Sequence, residues 1–235
     1  MIAVDNVSTG QQDGANSLTF SHTVNDNTQG IILVLVGAEA NSANNGNDPV
    51  TSLTYNGNSL AKVDSQHTNV TPGGSGNSAE IWYGLAPATG AHNVVVTYTG
   101  NVDGDSVTAI SLTGVDQTSP INTFLGGKGN SANPSTSVTT TVDNCLVLDI
   151  LSGSGSGTTL TTDASQTERS NITNVGHMRS ATSSEAKAAA GSVAMSWTMS
   201  SQVWAQVVVA LTPYVASSAT LKDVIGGTGV VPFAR

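Results

Sequence analysis

Residues 203–213 read VWAQVVVALTP, and residues 191–199 just before them read GSVAMSWTM. In the earlier stretch Val193, Met195, Trp197 and Met199 alternate with Ala194, Ser196 and Thr198. That period of two is the signature of a half-buried strand. The later stretch is apolar at nearly every position from Val207 to Leu211, which marks a strand covered on both faces, and Pro213 ends it.

Working back from this pair, the same grammar recurs. Residues 30–38 (GIILVLVGA) are continuously apolar, and residues 17–24 place Leu18, Phe20, His22 and Val24 on one face. SLTYNGNSLAKV puts Asn56-Gly57 between two alternating segments. Both residues tolerate the positive φ of a type I′ turn, so a two-residue hairpin is predicted near residues 53–63. Residues 79–85, 92–100, 106–115, 136–142 and 144–152 read as further strands, with Trp82 inside. Residues 101–105 read as a turn and 117–137 as mostly irregular. Residues 183–191 (SSEAKAAAG) allow one helical turn at most before the strand that follows. No exact internal repeat is visible, which argues against propellers and solenoids.

The prediction is therefore an all-β fold: a single large antiparallel β-sandwich, jelly-roll-like, of about a dozen or more short strands with little or no helix. GSGSG at 153–157 could divide the chain, but the part after it holds few strands, so one domain is expected over 1–213. Residues 214–235 are then an extended C-terminal arm.

Charged residues make up only 10% of the 235, and Ser, Thr, Asn and Gly fill the gap. The net charge is −9, and the first lysine is Lys62. Such a surface argues against nucleic acid and against an anionic membrane. The lone Cys145 forbids an internal disulfide, and its apolar setting predicts a buried thiol. Residues 1–10 lack the basic start and apolar run of a secretory leader. The chain is expected to be made in the cytoplasm and either work there or leave by lysis or a non-standard route; a mature form carrying an added Met stays open.

The catalytic searches return little. Serines are abundant and four histidines exist, but no G-x-S-x-G elbow stands in a strand–turn–helix context. A glycosidase needs two facing carboxylates. Glu39, Glu80, Asp149 and Glu168 are the candidates, and Asp149, Glu80 and Glu39 are expected on outward-facing strand positions. Trp82, Trp197 and Trp204 fit a core better than a sugar platform, which leaves Tyr83, opposite Trp82, as the carbohydrate candidate. Asp103 and Asp105, around Gly104, are candidate calcium ligands, although tight turns use the same residue types. No metal, cofactor or enzymatic activity is expected.

The arm differs from the rest. It carries Lys222 and Arg235 against Asp223, and Leu221, Val224, Ile225, Val230, Val231 and Phe233 are apolar. Disordered tails are poor in such residues. These six are the expected partner-binding residues, held by the chain's own domain or, as favoured here, by a neighbour through strand addition or groove docking.

The order of SLTFSHTV, IILVLVGA, SLTYNGNSL, AEIWYGLAPATGAHNVVVTY, AISLTGVDQTSPI, GSVAMSWTM and WAQVVVALTP resembles β-sandwich structural proteins of tailed-phage virions and related bacterial surface modules. The resemblance implies a jelly-roll or immunoglobulin-like sandwich used for display or attachment, and it carries over no catalytic residue. The expectation is a non-enzymatic virion protein, a capsid decoration or fibre-type protein. It would sit on the particle surface, attached by its arm to a capsid or other virion protein, and form a homo-oligomer. A carbohydrate-binding or adhesive module is the alternative, and a glycan-cleaving enzyme ranks last.

Overall fold

The computed structural model describes residues 1–40, 48–68, 76–155, 159–175 and 178–216. The first nine strands are β1 (Ala3–Gln12), β2 (Ser17–Val24), β3 (Ile31–Ala40), β4 (Val50–Tyr55), β5 (Asn58–Ser59), β6 (Ala61–His67), β7 (Gly76–Leu85), β8 (Gly90–Tyr98) and β9 (Val102–Thr113). Then come β10 (Ile121–Ser131), β11 (Ser135–Thr140), β12 (Cys145–Ser154), β13 (Thr161–Thr162), β14 (Thr167–Val175), β15 (Met178–Lys187), β16 (Gly191–Thr198) and β17 (Gln202–Leu211). The fold is all-β and antiparallel throughout, with no helix among the described residues. Asn56 and Gly57 take φ of 50° and 75° and join β4 to β5 as the hairpin turn.

The strands form four sheets with the orders β1-β9-β3-β7-β6, β2-β8-β4-β5, β10-β17-β12-β15-β14 and β11-β16-β13. They stack in four layers, and apolar side chains decide the stacking. Val34, Val36 and Trp82 of the first sheet pack on Leu53, Val94 and Val96 of the second. The opposite face of the first sheet, with Ile31, Leu33, Leu35 and Ile81, packs on Leu148, Ile150, Val207 and Val209 of the third. The far face of the third sheet meets the fourth through Val147, Val208, Val193 and Met195, and through Leu151, Trp197 and Trp204. The two five-stranded sheets are therefore covered on both sides, which is why β3, β12 and β17 read as unbroken apolar runs.

The strand orders repeat. β1-β9-β3-β7-β6 corresponds place for place to β10-β17-β12-β15-β14, and β2-β8-β4 to β11-β16-β13. All strand pairing stays within one half or the other. Among the described residues the one β-bridge between halves is Val115 with Pro213. Tyr214 N donates to Gly114 O at 2.8 Å and Asp116 N to Thr212 O at 2.9 Å. The repeated strand order makes the molecule a pseudo-dimer of sandwiches within one chain. The division falls at Val115, and residues after it close their own core.

The stack has two different ends. The N-terminal residues, the 114–121 link and the 211–216 exit lie at one end, called here the arm end. At the other end, Asn77 Nδ2 donates to Ser154 Oγ at 2.5 Å, Thr99 N to Pro49 O and Thr68 N to Asn77 O. The described residues flanking 41–47, 69–75, 156–158 and 176–177 lie at this loop end.

Several local expectations change. Residues 117–137 are not mostly irregular: they hold β10 and β11, whose glycines and threonines concealed a strand pattern. Residues 183–187 belong to β15, so the alanine run contributes no helix and residues 188–190 turn the chain. Asp103 and Asp105 lie in β9 rather than in a turn.

The seam between the two halves leaves no room at Gly37 of β3. A Cβ there would sit 2.6 Å from Ser180 Oγ and 3.2 Å from Met178 Cε. Gly37→Val is expected to lower stability by about 2 kcal/mol through overpacking, read as a drop in the urea midpoint. An unchanged midpoint would show that the seam yields.

Candidate functional site

The densest charged cluster among the described residues lies at the loop end of the first sandwich. Glu80 on β7 is fully buried, beneath the open edge formed by β6. Its Oε2 accepts from Lys62 Nζ at 2.8 Å and from Trp82 Nε1 at 3.0 Å, and its Oε1 from Val50 N at 3.2 Å. Lys62 Nζ also reaches Asp48 Oδ2 at 3.1 Å and stands 4.9 Å from the Trp82 ring centroid. Ser65 Oγ donates to Asp48 Oδ2 at 2.6 Å, and His67 Nδ1 lies 3.5 Å from Asp48 Oδ1.

Burial pushes the Glu80 carboxyl above its ordinary value, and Lys62 only partly offsets this. Burial alone would lower Lys62, but the hydrogen bonds and charges of Glu80 and Asp48 outweigh it and raise the ammonium. A lysine held protonated is a poor nucleophile. It also stands between the two carboxylates, in the space a glycosidic bond would need. The cluster instead ties together the feet of two loops. Asp48 and Val50 follow 41–47, while Ser65 and His67 precede 69–75. The sequence offered one signal for it: Lys62 is the first cation in a long acidic stretch, set between hairpin and strand.

Asp149 corrects the expectation of an outward-facing position. It is fully buried between the third and fourth sheets. Its Oδ1 accepts from Ser183 N at 3.1 Å and Ser183 Oγ at 2.5 Å, and its Oδ2 from Trp197 Nε1 at 2.6 Å and Gln206 Nε2 at 2.7 Å. Burial pushes its carboxyl up to about 6, against these hydrogen bonds. Glu80 and Glu39 are buried as well, because β7 and β3 are inner strands.

The other candidates are placed as follows. Asp105 is buried and accepts from Gln12 N and Nε2, each at 3.1 Å; burial pushes it up to about 6. Asp103 is half-buried on the same strand, and among the described residues no three His, Cys, Asp or Glu side chains gather as a metal site. Tyr83 does lie opposite Trp82, but that face is covered by the third sheet, and Tyr83 packs half-buried against its core. His22 is buried, with Nδ1 3.0 Å from Ser8 Oγ, and burial lowers it to about 4, so the ring is neutral. Cys145 is buried, and Trp82, Trp197 and Trp204 all belong to cores. Leu221, Val224, Ile225, Val230, Val231 and Phe233 lie outside the described residues.

No family model matches the chain, and no curated protein does. A solved structure described as an anti-sigma factor domain-containing protein is similar at 9% identity and a TM-score of 0.20, over 83% of this chain and 74% of that one. A likeness at that level carries no argument.

The arm end is chemically different from the loop end. Met1, Val142, Tyr214 and Val215 are exposed there. With Asp116 and Asp143 they line a recess of about 480 Å³, at the place where the described chain leaves the stack. An adjoining recess of about 150 Å³ is lined by Ile2, Cys145, Leu146 and Ala186. Exposed apolar groups beside a chain exit suit protein contact.

Proposed function

We propose that the protein is a non-enzymatic structural protein of a tailed-phage particle, a capsid decoration or fibre-type protein. Its C-terminal arm fixes it to a capsid or other virion protein. The observation that carries this reading is the polarity of the stack: the apolar exit toward 217–235 lies at one end and the loop feet at the other. An arm anchored at the first end would present the second outward. Four layers with continuous cores supply a rigid body between them, and the Lys62 cluster ties Asp48 to β6 and β7 near the loop end.

A secondary reading is a carbohydrate-binding or adhesive module that works through the loop end, around residues 68–78 and 101–105. A glycan array with the full chain tests it, and the absence of any retained sugar would end it. For the principal reading, deleting residues 217–235 is expected to abolish incorporation into particles while the far-UV circular dichroism spectrum stays that of an antiparallel β protein. Normal incorporation of the shortened chain would overturn it.

A further inference from the structure

Every sheet of this stack has two edges, and one edge is unlike the rest. β1, β6, β10 and β14 flank the two five-stranded sheets. β6 presents Lys62 and Asp64 around a bulge, β14 carries Glu168 and Arg169 and two bulges, and β1 has Asp5 beside its bulge. Charges and bulges of this kind discourage added strands. β10 has its bulge near its start, between Ile121 and Thr123, and then runs in unbroken register to Ser131. Phe124 and Leu125 are 48% and 50% exposed, and no other edge strand among the described residues carries an exposed large apolar side chain. Gly126, Gly127 and Gly129 follow, and the one charge of the strand, Lys128 between them, is turned back onto β6, where its Nζ donates to His67 O at 3.1 Å.

Phe124 and Leu125 are neighbours on a strand, so they point to opposite faces. A Cβ on Gly126 would face Gln66 and Asp64 of β6, and one on Gly127 would face Thr136 of β11. The edge is thus open between two walls, and an added strand would cover Phe124 on one side and Leu125 on the other. Resting on the reading of 217–235 as an attachment arm, we infer that the outer edge of β10 receives this arm from a second copy of the chain, as an added antiparallel strand.

Geometry favours a second copy over the chain's own arm. All strand pairs described are antiparallel. β10 runs from the arm end to the loop end over 11 residues, roughly 36 Å at a strand's rise. The chain's own arm starts at the arm end, so antiparallel pairing along the whole of β10, rather than beside Phe124 and Leu125 alone, would need it to travel that length and then return, roughly 72 Å before any turn. Nineteen residues reach roughly 63 Å fully extended. A neighbour's arm can approach from the loop end. Residues 217–231 contain no proline and include Leu221, Val224 and Ile225 to set against Phe124 and Leu125.

The test uses the full chain in three forms: wild type, an edge variant (Phe124→Asp with Leu125→Lys) and an arm variant (Val224→Asp with Ile225→Asp). Sedimentation velocity is expected to give the wild type a mass above the 23.7 kDa monomer and each variant the monomer mass. An equimolar mixture of the variants recovers a two-copy species, because one supplies the arm and the other the edge. Matching thermal midpoints show that the variants are folded. A monomeric wild type, or self-association that survives either variant, overturns the inference. If a monomeric wild type shows slow deuterium exchange along β10 that the arm variant loses, the chain's own arm occupies the edge and the second-copy assignment is wrong. Incorporation into particles is scored separately: an edge variant that incorporates normally beside a monomeric wild type removes this inference and leaves the proposed function standing.

Discussion

Replacing Asp149 by alanine is expected to lower the unfolding free energy by about 3 kcal/mol at pH 7, because several buried donors lose their acceptor and a void opens in the core. Ser183 N, Ser183 Oγ, Trp197 Nε1 and Gln206 Nε2 all point at this carboxylate. Gln206 Nε2 keeps Met195 O, but the Ser183 hydroxyl, which only accepts from Gln166 Nε2, and the Trp197 indole have no second acceptor among the described contacts. The pH dependence identifies the cause. The folded value is about 6 against an ordinary 3.8, so between those values the folded state holds the proton more tightly. This group's contribution is largest below 3.8 and is lost as pH rises through 6. The cost of Asp149→Ala should therefore grow by about 2 kcal/mol between pH 7 and pH 4. Urea denaturation of both proteins at the two pH values measures it. A cost that is equal at both would show that burial of the charge is not what shifts the group. Asp149→Asn, which keeps the volume, should remove the same slope.

Lys62→Met is expected to cost about 3 kcal/mol at neutral pH, since it leaves the carboxylate of Glu80 buried without its counter-charge. Only Trp82 Nε1 and Val50 N would still face it. Glu80 already lies above the ordinary 4.5 with the lysine present, and removing the lysine raises it further. A carboxyl whose folded value exceeds its unfolded one loses stability as pH rises, so the variant should regain stability on acidification. Thermal midpoints of wild type and variant should converge as the pH falls. A constant gap would mean that the loss is one of packing on Trp82 rather than of charge.

Much of this fold could be read from side-chain periodicity. The Asn56-Gly57 hairpin, the continuous run in β3, the alternation in β16 and the closing strand β17 are local patterns, and local patterns survive into the structure. The duplication could not be read that way, because equivalent places hold different chemistry. Ile31 and Leu146 each pair with a leucine, Leu112 and Leu211, so three residues further on Val34 corresponds to Asp149. Val34 pairs with Trp82, whereas Asp149 pairs with Ser183. The second half has a serine opposite its aspartate and takes its tryptophan, Trp197, from β16. Each half sets a tryptophan N–H on a buried carboxylate, Trp82 on Glu80 and Trp197 on Asp149, but from positions that do not correspond. The burial of Glu80 and Asp149 was hidden for a related reason: a lone carboxylate in an apolar strand looks outward-facing until the second covering sheet is known. The Lys62 cluster joins residues from three separate segments, 48–50, 62–67 and 80–82, which no spacing rule connects.

The position of β17 within its sheet bears on how the protein would withstand mechanical load. The arm continues from a strand that is flanked by β10 on one side and β12 on the other, paired along nearly its whole length with both. Hydrogen bonds in an antiparallel ladder lie across the strand axis. A pull on the arm along that axis therefore strains two ladders in shear, with many bonds loaded together. An edge strand pulled sideways would unzip them one at a time. A body tethered through β17 should hold its anchor under drag at forces that would peel any of its edge strands away.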